Sequence, residues 1–421
     1  MIDMTNLMMH RVDNLNIENE RISHQMSTSR KLQHGSDDPV LYTKLLNIEE
    51  NTRTYKGLQV QIQRTTAQNT ISDKTMQESK KMLDLIKVDL IRARNAGLDD
   101  SSRAALATNL DGVRETLITL ANTQIDGEYL FSGSASSTRT FNKSEDFKET
   151  GKVDFNGNGF LRSVAVEDST YRPRGITALD AFMYPSDTAA NNEQLKFTSN
   201  ERIIDEEGYE WKVNDAQDAI QKFDKNNVLI SPEIEISITG TPRVFNAAGA
   251  EIEPAKYTTD RVQETKTGEI DTTRILEAKH NFFDDINIMI NALNGYSTNS
   301  DGSKADVLGE YTKADGTKAI DQADRTVAIN EILGISLEQT SAQFNSMNTG
   351  HAELGGRNNV FNISLERIEA KQVHYNILMQ ELGGVDMAKL AMESKSLEMT
   401  YQAVYSTISK MHKLSLLNFL N

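Results

Sequence analysis

Few side chains in this sequence stand in a pattern that could do chemistry. The seven histidines, His10, His24, His34, His280, His351, His374 and His412, form no H-x-x-x-H or comparable pair. The spacing that lets two imidazoles share a metal ion from one helix face is therefore missing, and solvated or packed histidine is the expected role. Residues 155–160, "FNGNGF", lack the G-x-G-x-x-G order and open no helix, so they read as a turn. Residues 299–306, "NSDGSKAD", lack the acidic alternation of a calcium loop. Asp37 and Asp38 are adjacent carboxylates, as an acid and base pair would need, but Pro39 follows at once. An acidic cap before proline at the first helical position is a helix start. The chain has no cysteine, which removes thiolate nucleophiles, zinc–thiolate sites and disulfides together. No catalytic constellation emerges, and neither a metal nor a cofactor is expected.

What remains is the elements that would have held such residues. At 421 residues the chain can form two or three domains. With 25% charged and 38% apolar residues it reads as neither a membrane protein nor a wholly disordered one. Its apolar runs are a few residues long, where about 18 are needed to cross a bilayer, so a soluble protein without membrane insertion is expected. A net charge of −16, with no basic stripe to offset it, repels phosphate backbones and makes nucleic acid an unexpected partner. The start, "MIDMTNLMMHRVDNLN", lacks a basic leader before an apolar run. Any passage out of the cell is then expected to use a route without a cleaved leader.

Proline and methionine divide the chain. Pro39 stands alone near the start, whereas Pro173, Pro185, Pro232, Pro242 and Pro254 crowd the middle, with the only tryptophan, Trp211. Between residues 140 and 270 the only methionine is Met183. Proline is excluded from helix interiors and unbranched methionine suits them, so two helical ends around an irregular or β-rich insert are predicted. In the first end, Met8, Val12, Leu15, Asn19, Ile22 and Met26 alternate in steps of four and three, which lays them on one helix face. Leu106, Leu110, Val113, Leu117, Leu120 and Gln124 repeat that spacing. Between them, residues 40–96 hold no proline and only Gly57, allowing one helix of about 85 Å. In the other end, Phe361, Leu365, Ile368, Gln372, Tyr375, Met379 and Leu382 form a seam that Gly383 and Gly384 break, and Leu397, Tyr401, Val404, Ile408 and Met411 form the next. Two readings are open: an ordinary antiparallel bundle, or outermost helices, 1–30 and 386–421, that pair with neighbouring subunits.

In the middle, "GKVDFNGNGFLRSVAVED", which alternates around a glycine and asparagine turn, and "VLISPEIEISITGTPRVF", with Ile234, Ile236 and Ile238 on one face, carry hairpin and strand signals. A helical pattern resumes near Ile275 and ends at "NALNG", and the polar stretch after it reads as an exposed loop.

Two stretches point to a family. Residues 26–40, "MSTSRKLQHGSDDPV", resemble the helix, turn and Asp-Asp-Pro signature near the N-terminus of bacterial flagellins and their relatives. Residues 120–133, "LANTQIDGEYLFSG", are similar to the segment that closes the N-terminal helical core in the hook-filament junction branch of that family, with Tyr129, Phe131, Ser132 and Gly133 pointing there. The C-terminal block from "LGGRNNVFN" to "LLNFLN" is also similar to the flagellin-family C-terminus.

The resemblance implies a mainly α protein with a β-rich insert, in which N- and C-terminal segments form a long antiparallel helical core. The expected divisions are an assembly helix over 1–36, core halves over 37–139 and 271–385, a central β-containing outward-facing domain over 140–270, and a second assembly helix over 386–421. The first helical half would stop at Gly127, where the chain leaves the core, with Tyr129 and Phe131 packing over the exit beside Gly133. Asp37, Asp38 and Pro39 would form a structural turn. The subunit-interface candidates are Met8, Val12, Leu15, Ile22, Leu397, Tyr401, Val404, Ile408, Met411, Leu416, Leu417 and Phe419. Implied too are an extracellular flagellar location, export through the flagellar type III apparatus with an export chaperone, and as partners flagellin, the neighbouring hook-associated protein 1 and further copies of the chain in a ring. Alternatives are a filament-forming flagellin with a short central domain, an unrelated coiled-coil adhesin, and an insert that uses a metal-free carboxylate pair for catalysis.

Overall fold

In the computed structural model the described residues are all but 1, 96–97, 186–193, 199–200, 206–207, 215, 217, 225–227, 236, 239–243, 246–250, 254–255, 261, 265–269, 300 and 420–421. The helices are α1 (Ile2–Thr28), α2 (Pro39–Ala93), α3 (Asp100–Ala121), the short α4 (Phe147–Thr150) and α5 (Ala178–Ala181), α6 (Phe282–Leu293), α7 (Gln322–Gly383) and α8 (Met387–Phe419). The mainly α fold with a β-rich middle, predicted from proline and methionine, is the fold adopted. Two compact units divide the chain, one of residues 1–61 with 364–421 and one of residues 62–363. These limits fall inside α2 and α7.

In the first unit, α1 and α8 pack against each other, with Ile22, Leu390 and Leu397 buried between them. The pairing is antiparallel: Arg21 reaches Glu393 at 3.3 Å, and Tyr401 Oη donates to Asn16 Oδ1 at 2.7 Å. Tyr55 of α2 stacks on Tyr375 of α7 with ring centroids 5.6 Å apart, and Gln59 donates to Glu369 at 3.3 Å.

In the second unit, one core joins Leu83, Ile86 and Leu90 of α2, Leu110, Val113 and Leu117 of α3, Phe283, Ile286 and Met289 of α6, and Ile329 and Leu333 of α7. Each such side chain contributes roughly 1.5–3 kcal/mol when fully buried. Along α2 the buried face also takes Thr65, Gln68, Ser72 and Ser79. Ser72 and Ser79 donate back to the carbonyls of Gln68 and Thr75 at 3.2 and 2.9 Å, which lets hydroxyls sit inside without an unmet donor.

A seven-stranded sheet runs in the order 229–235, 219–223, 210–213, 202–205, 270–281, 262–264, with 183–185 also paired to 270–281. Trp211, Ile203, Ile220, Leu276 and Ala278 form its own apolar cluster. Three expectations are corrected here. The stretch near Ile275 is the strand Ile270–Asn281, and helix α6 starts only at Phe282, because Asn281 caps it by accepting from Phe283 N–H at 3.2 Å. The polar stretch after α6 is two hairpins, Tyr296–Thr298 with Lys304–Val307 and Glu310–Thr312 with Lys318–Ile320, turned by Gly302 and Gly316 at positive φ. The strands on either side of residues 155–160 do not form a hairpin with each other. Val153–Phe155 pairs with Phe141–Lys143, and Arg162–Glu167 pairs with Thr170–Arg174. The side chains of Ile234, Ile236 and Ile238 lie outside the described residues.

Candidate assembly surface of the terminal helices

Helix α1 ends where Ser29 turns to φ 57°, its N–H donating to the carbonyl of Gln25 at 2.9 Å. The chain then pairs with the break between α7 and α8: Arg30 bridges to Gly384, and Lys31 N–H donates to the Gly383 carbonyl at 2.8 Å. Gln25 Nε2 donates to the Lys31 carbonyl at 2.6 Å and fixes the same corner. A side chain on Gly384 would meet the Gln380 carbonyl oxygen at 2.3 Å, so the break needs glycine there.

The two aspartates divide their work. Asp37 Oδ2 accepts from the N–H groups of His34 and Gln33 at 2.8 and 3.0 Å, and these bonds, the His34 one foremost, hold its carboxyl below its ordinary value. Asp38 Oδ1 accepts from Leu41 N–H at 3.0 Å, the cap expected ahead of Pro39.

Of the interface candidates, Ile22 and Leu397 are buried, and Met8, Val12, Leu15, Tyr401, Val404, Ile408 and Met411 are half-buried. Leu416, Leu417 and Phe419 belong to the last turns of α8, and their side chains lie outside the described residues. The periodicity left open whether α1 and α8 meet each other or a neighbour; in this chain they meet each other. Asn19 and Met26, counted on the same stripe, are exposed, while Glu18, Arg21 and Gln25 form a polar edge in which Arg21 Nε donates to Glu18 at 3.1 Å.

The strict seam omitted the apolar residues that stay outside. Met9 and Ile17 of α1 and Met387, Met392, Met399 and Tyr405 of α8 are exposed. Met392 and Met399, seven apart, lie away from Leu390 and Leu397. Their spacing was visible in the sequence, but an outward stripe and an inward one have the same period.

At the expected domain exit, α3 stops at Ala121, six residues before Gly127. Asn122 ends it: its side-chain Nδ2 donates to the Ile118 and Phe141 carbonyls at 2.9 and 3.0 Å, and its Oδ1 accepts from Phe141 N–H at 2.9 Å. Gln124, expected on the helical seam, is exposed in the strand Gln124–Ile125, which pairs with Glu128–Tyr129. Asp126 and Gly127, at φ 52° and 79°, make the two-residue turn between these strands. Tyr129 is half-buried. Phe131 is no surface cover but a fully buried core residue, edge-on to Phe182 at 5.4 Å. Gly133 sits at φ 70°, where a Cβ would come within 2.2 Å of the Asn158 carbonyl oxygen.

Among the described residues no cluster of three His, Asp or Glu side chains is arranged to hold a metal ion, and no helix is long and apolar enough to cross a membrane.

Residues 3–136 match the family model of the bacterial flagellin N-terminal helical region. Flagellar hook-associated protein 3 of Salmonella typhimurium (strain LT2) is 29% identical over 125 residues, 29% of this chain and 39% of that protein. The protein of the same name from Escherichia coli K12 is 28% identical over 138 residues, 32% of this chain and 43% of that protein. The chain thus spans about two fifths of the length of the curated relatives it matches. The solved structure of a putative flagellar hook-associated protein from Vibrio parahaemolyticus has a TM-score of 0.48 and 14% identity, covering 83% of this chain and 100% of that one. Over its first third the chain is similar to the bacterial flagellin N-terminal helical region, and two proteins it resembles there are named flagellar hook-associated protein 3.

Proposed function

We propose that this chain is a structural subunit of the bacterial flagellum, outside the cell, that joins the hook to the flagellin filament. The observation that carries the reading is that the region matched by the flagellin model contains α1, and that α1 pairs antiparallel with α8 while both keep large apolar side chains exposed. A pair of helices with a dry seam inside and an apolar outer face can dock laterally on identical or related pairs, each buried Å² contributing about 25 cal/mol. The docking face then comprises Met9 and Ile17 of α1 and Met392, Met399 and Tyr405 of α8, extended by Leu416, Leu417 and Phe419, while the seam candidates Met8, Val12, Leu15, Ile22, Leu397, Tyr401, Val404, Ile408 and Met411 hold α1 to α8. Asp37, Asp38 and Pro39 fix where α2 starts, and the Gly127–Gly133 stretch carries the chain from α3 into the β-rich part. The work is mechanical: no step of it forms or breaks a bond.

The partners in this reading are flagellin on one side, hook-associated protein 1 on the other, and further copies of the chain in a ring. An export chaperone and the flagellar type III export apparatus would deliver it. A filament former needs top and bottom surfaces that fit each other without end, whereas an adaptor needs two surfaces matched to different partners.

The test follows from that difference. Purified chain is expected to stay monomeric or weakly oligomeric at concentrations where flagellin polymerises. A variant lacking residues 414–421 is expected to be exported but not incorporated, so that cells keep hooks and shed flagellin into the medium. Long filaments made of this chain alone would overturn the adaptor in favour of a flagellin.

A further inference from the structure

Methionine is the only sulfur in this cysteine-free chain, and it is unevenly placed. In the second unit Met76, Met289 and Met347 are fully buried and Met183 is 1% exposed. In the first unit Met9, Met26 and Met387 are also exposed, but Met392 and Met399, at 68% and 58% exposed, stand seven apart on one outer face of α8, while Leu390 and Leu397, two residues before each, are buried against α1. Lys395 and Glu398 pair between the two methionines at 2.7 Å, with both side chains largely solvated. Neither methionine takes part in the contacts that hold α8 to α1, which run through Leu390, Glu393, Leu397 and Tyr401.

We propose that Met392 and Met399 form an oxidation site, at which a peroxide converts the outer face of α8 from apolar to polar while leaving the α1–α8 pair intact. A thioether lone pair attacks one oxygen of hydrogen peroxide; the O–O bond breaks, sulfur keeps that oxygen as the sulfoxide, and the other leaves as hydroxide and takes a proton to become water. Sulfur loses two electrons and the peroxide gains them. The product is a polar, chiral group where a pliable apolar one stood. In the unassembled chain the face is open to the oxidant, and a polar dipole there must be desolvated before the face can dock. The effect on assembly rests on the proposed junction role; the oxidation itself does not.

The experiment exposes the full chain to hydrogen peroxide and follows each methionine by peptide mass spectrometry, alongside helical content and thermal melting. Sulfoxide is expected at Met392 and Met399 at least about tenfold faster than at Met289 and Met347, whose reaction waits on local opening, and the melting curve should hold. Equal rates, or an early loss of melting cooperativity, would overturn the site. In cells, the double variant Met392→Gln and Met399→Gln should be exported but incorporated poorly, while Met392→Leu with Met399→Leu should be incorporated as well as the unaltered chain. Normal incorporation of the glutamine variant sinks the proposed consequence. Failure of the unaltered chain to incorporate would instead count against the junction reading, and the oxidation rates would still decide the site.

Discussion

A single carboxylate decides where α2 begins. Asp38 Oδ1 meets Leu41 N–H at 3.0 Å, one of the donors a helix leaves unpaired at its start. Asp38→Ala should lower stability by about 1 kcal/mol, read as a lower urea midpoint, and an unchanged midpoint would remove the cap. Glu128 works at longer range. Burial pushes its carboxyl up, yet Arg174 at 2.8 Å and Arg162 at 2.9 Å outweigh that and hold it at about 2, against an ordinary 4.5. A carboxylate whose value falls on folding stabilises the protein above the unfolded value and loses that contribution as pH drops through the folded one. Stability should therefore decline between pH 4.5 and about 2, and Glu128→Gln should flatten the decline; an unaltered acid profile in the variant would refute the pairing. The cap was legible in the sequence because its partners lie three residues apart. The Glu128–Arg174 pair was not, because its partners lie 46 apart and meet only through strand pairing.

Helices announce themselves by neighbours three and four residues away, so α1, α3, α8 and the part of α7 from Phe361 were readable from periodicity, and α2 from its lack of proline. A strand's evidence sits elsewhere in the chain. The strand Ile270–Asn281 pairs with Arg202–Asp205 and Met183–Pro185, and its run of Ile275, Leu276 and Ala278 joins smoothly to the apolar start of α6, so the two read as one helix. The end of α3 was misplaced for a related reason: Asn122 stops it through a bond to Phe141, 19 residues on, whereas Gly127, the more conspicuous residue, turns the next hairpin. Glycine is needed at both Gly127 and Gly133, but differently. A Cβ at Gly127 would meet open space, leaving only the left-handed backbone cost, whereas at Gly133 it would also strike Asn158. Gly127→Ala should then cost about 1–2 kcal/mol, and Gly133→Ala more. Equal losses in chemical denaturation would show that the contact with Asn158 yields.

At the scale of the whole molecule, the division into helical ends and a β-rich middle was visible in where proline and methionine fall, since both report on backbone type. The limits of the two compact units were not, since they cut through α2 and α7 without any change in local pattern. The units also differ in what stabilises them. Among the described residues, the apolar side chains buried between α1 and α8 are Ile22, Leu390 and Leu397, whereas α3 alone buries six apolar residues. Amide exchange in the purified chain should therefore be fast in α1 and α8 and slow from Leu110 to Leu117; equal protection would mean that the terminal pair is sustained by more than its seam. That pair also has a place in time. Asn16 and Tyr401 are 385 residues apart, so α1 cannot meet its partner until almost the entire chain is at hand. The entropy of closing so large a loop grows slowly, by about 0.6 kcal/mol per doubling, but the encounter itself must wait. Because its partners are so far apart in sequence, the α1–α8 seam should close after the helices held by local bonds. A chain still on the ribosome, or drawn in single file through a narrow conduit, would carry α1 unpaired the whole way, with the latch at Arg30 and Gly384 closing only on arrival.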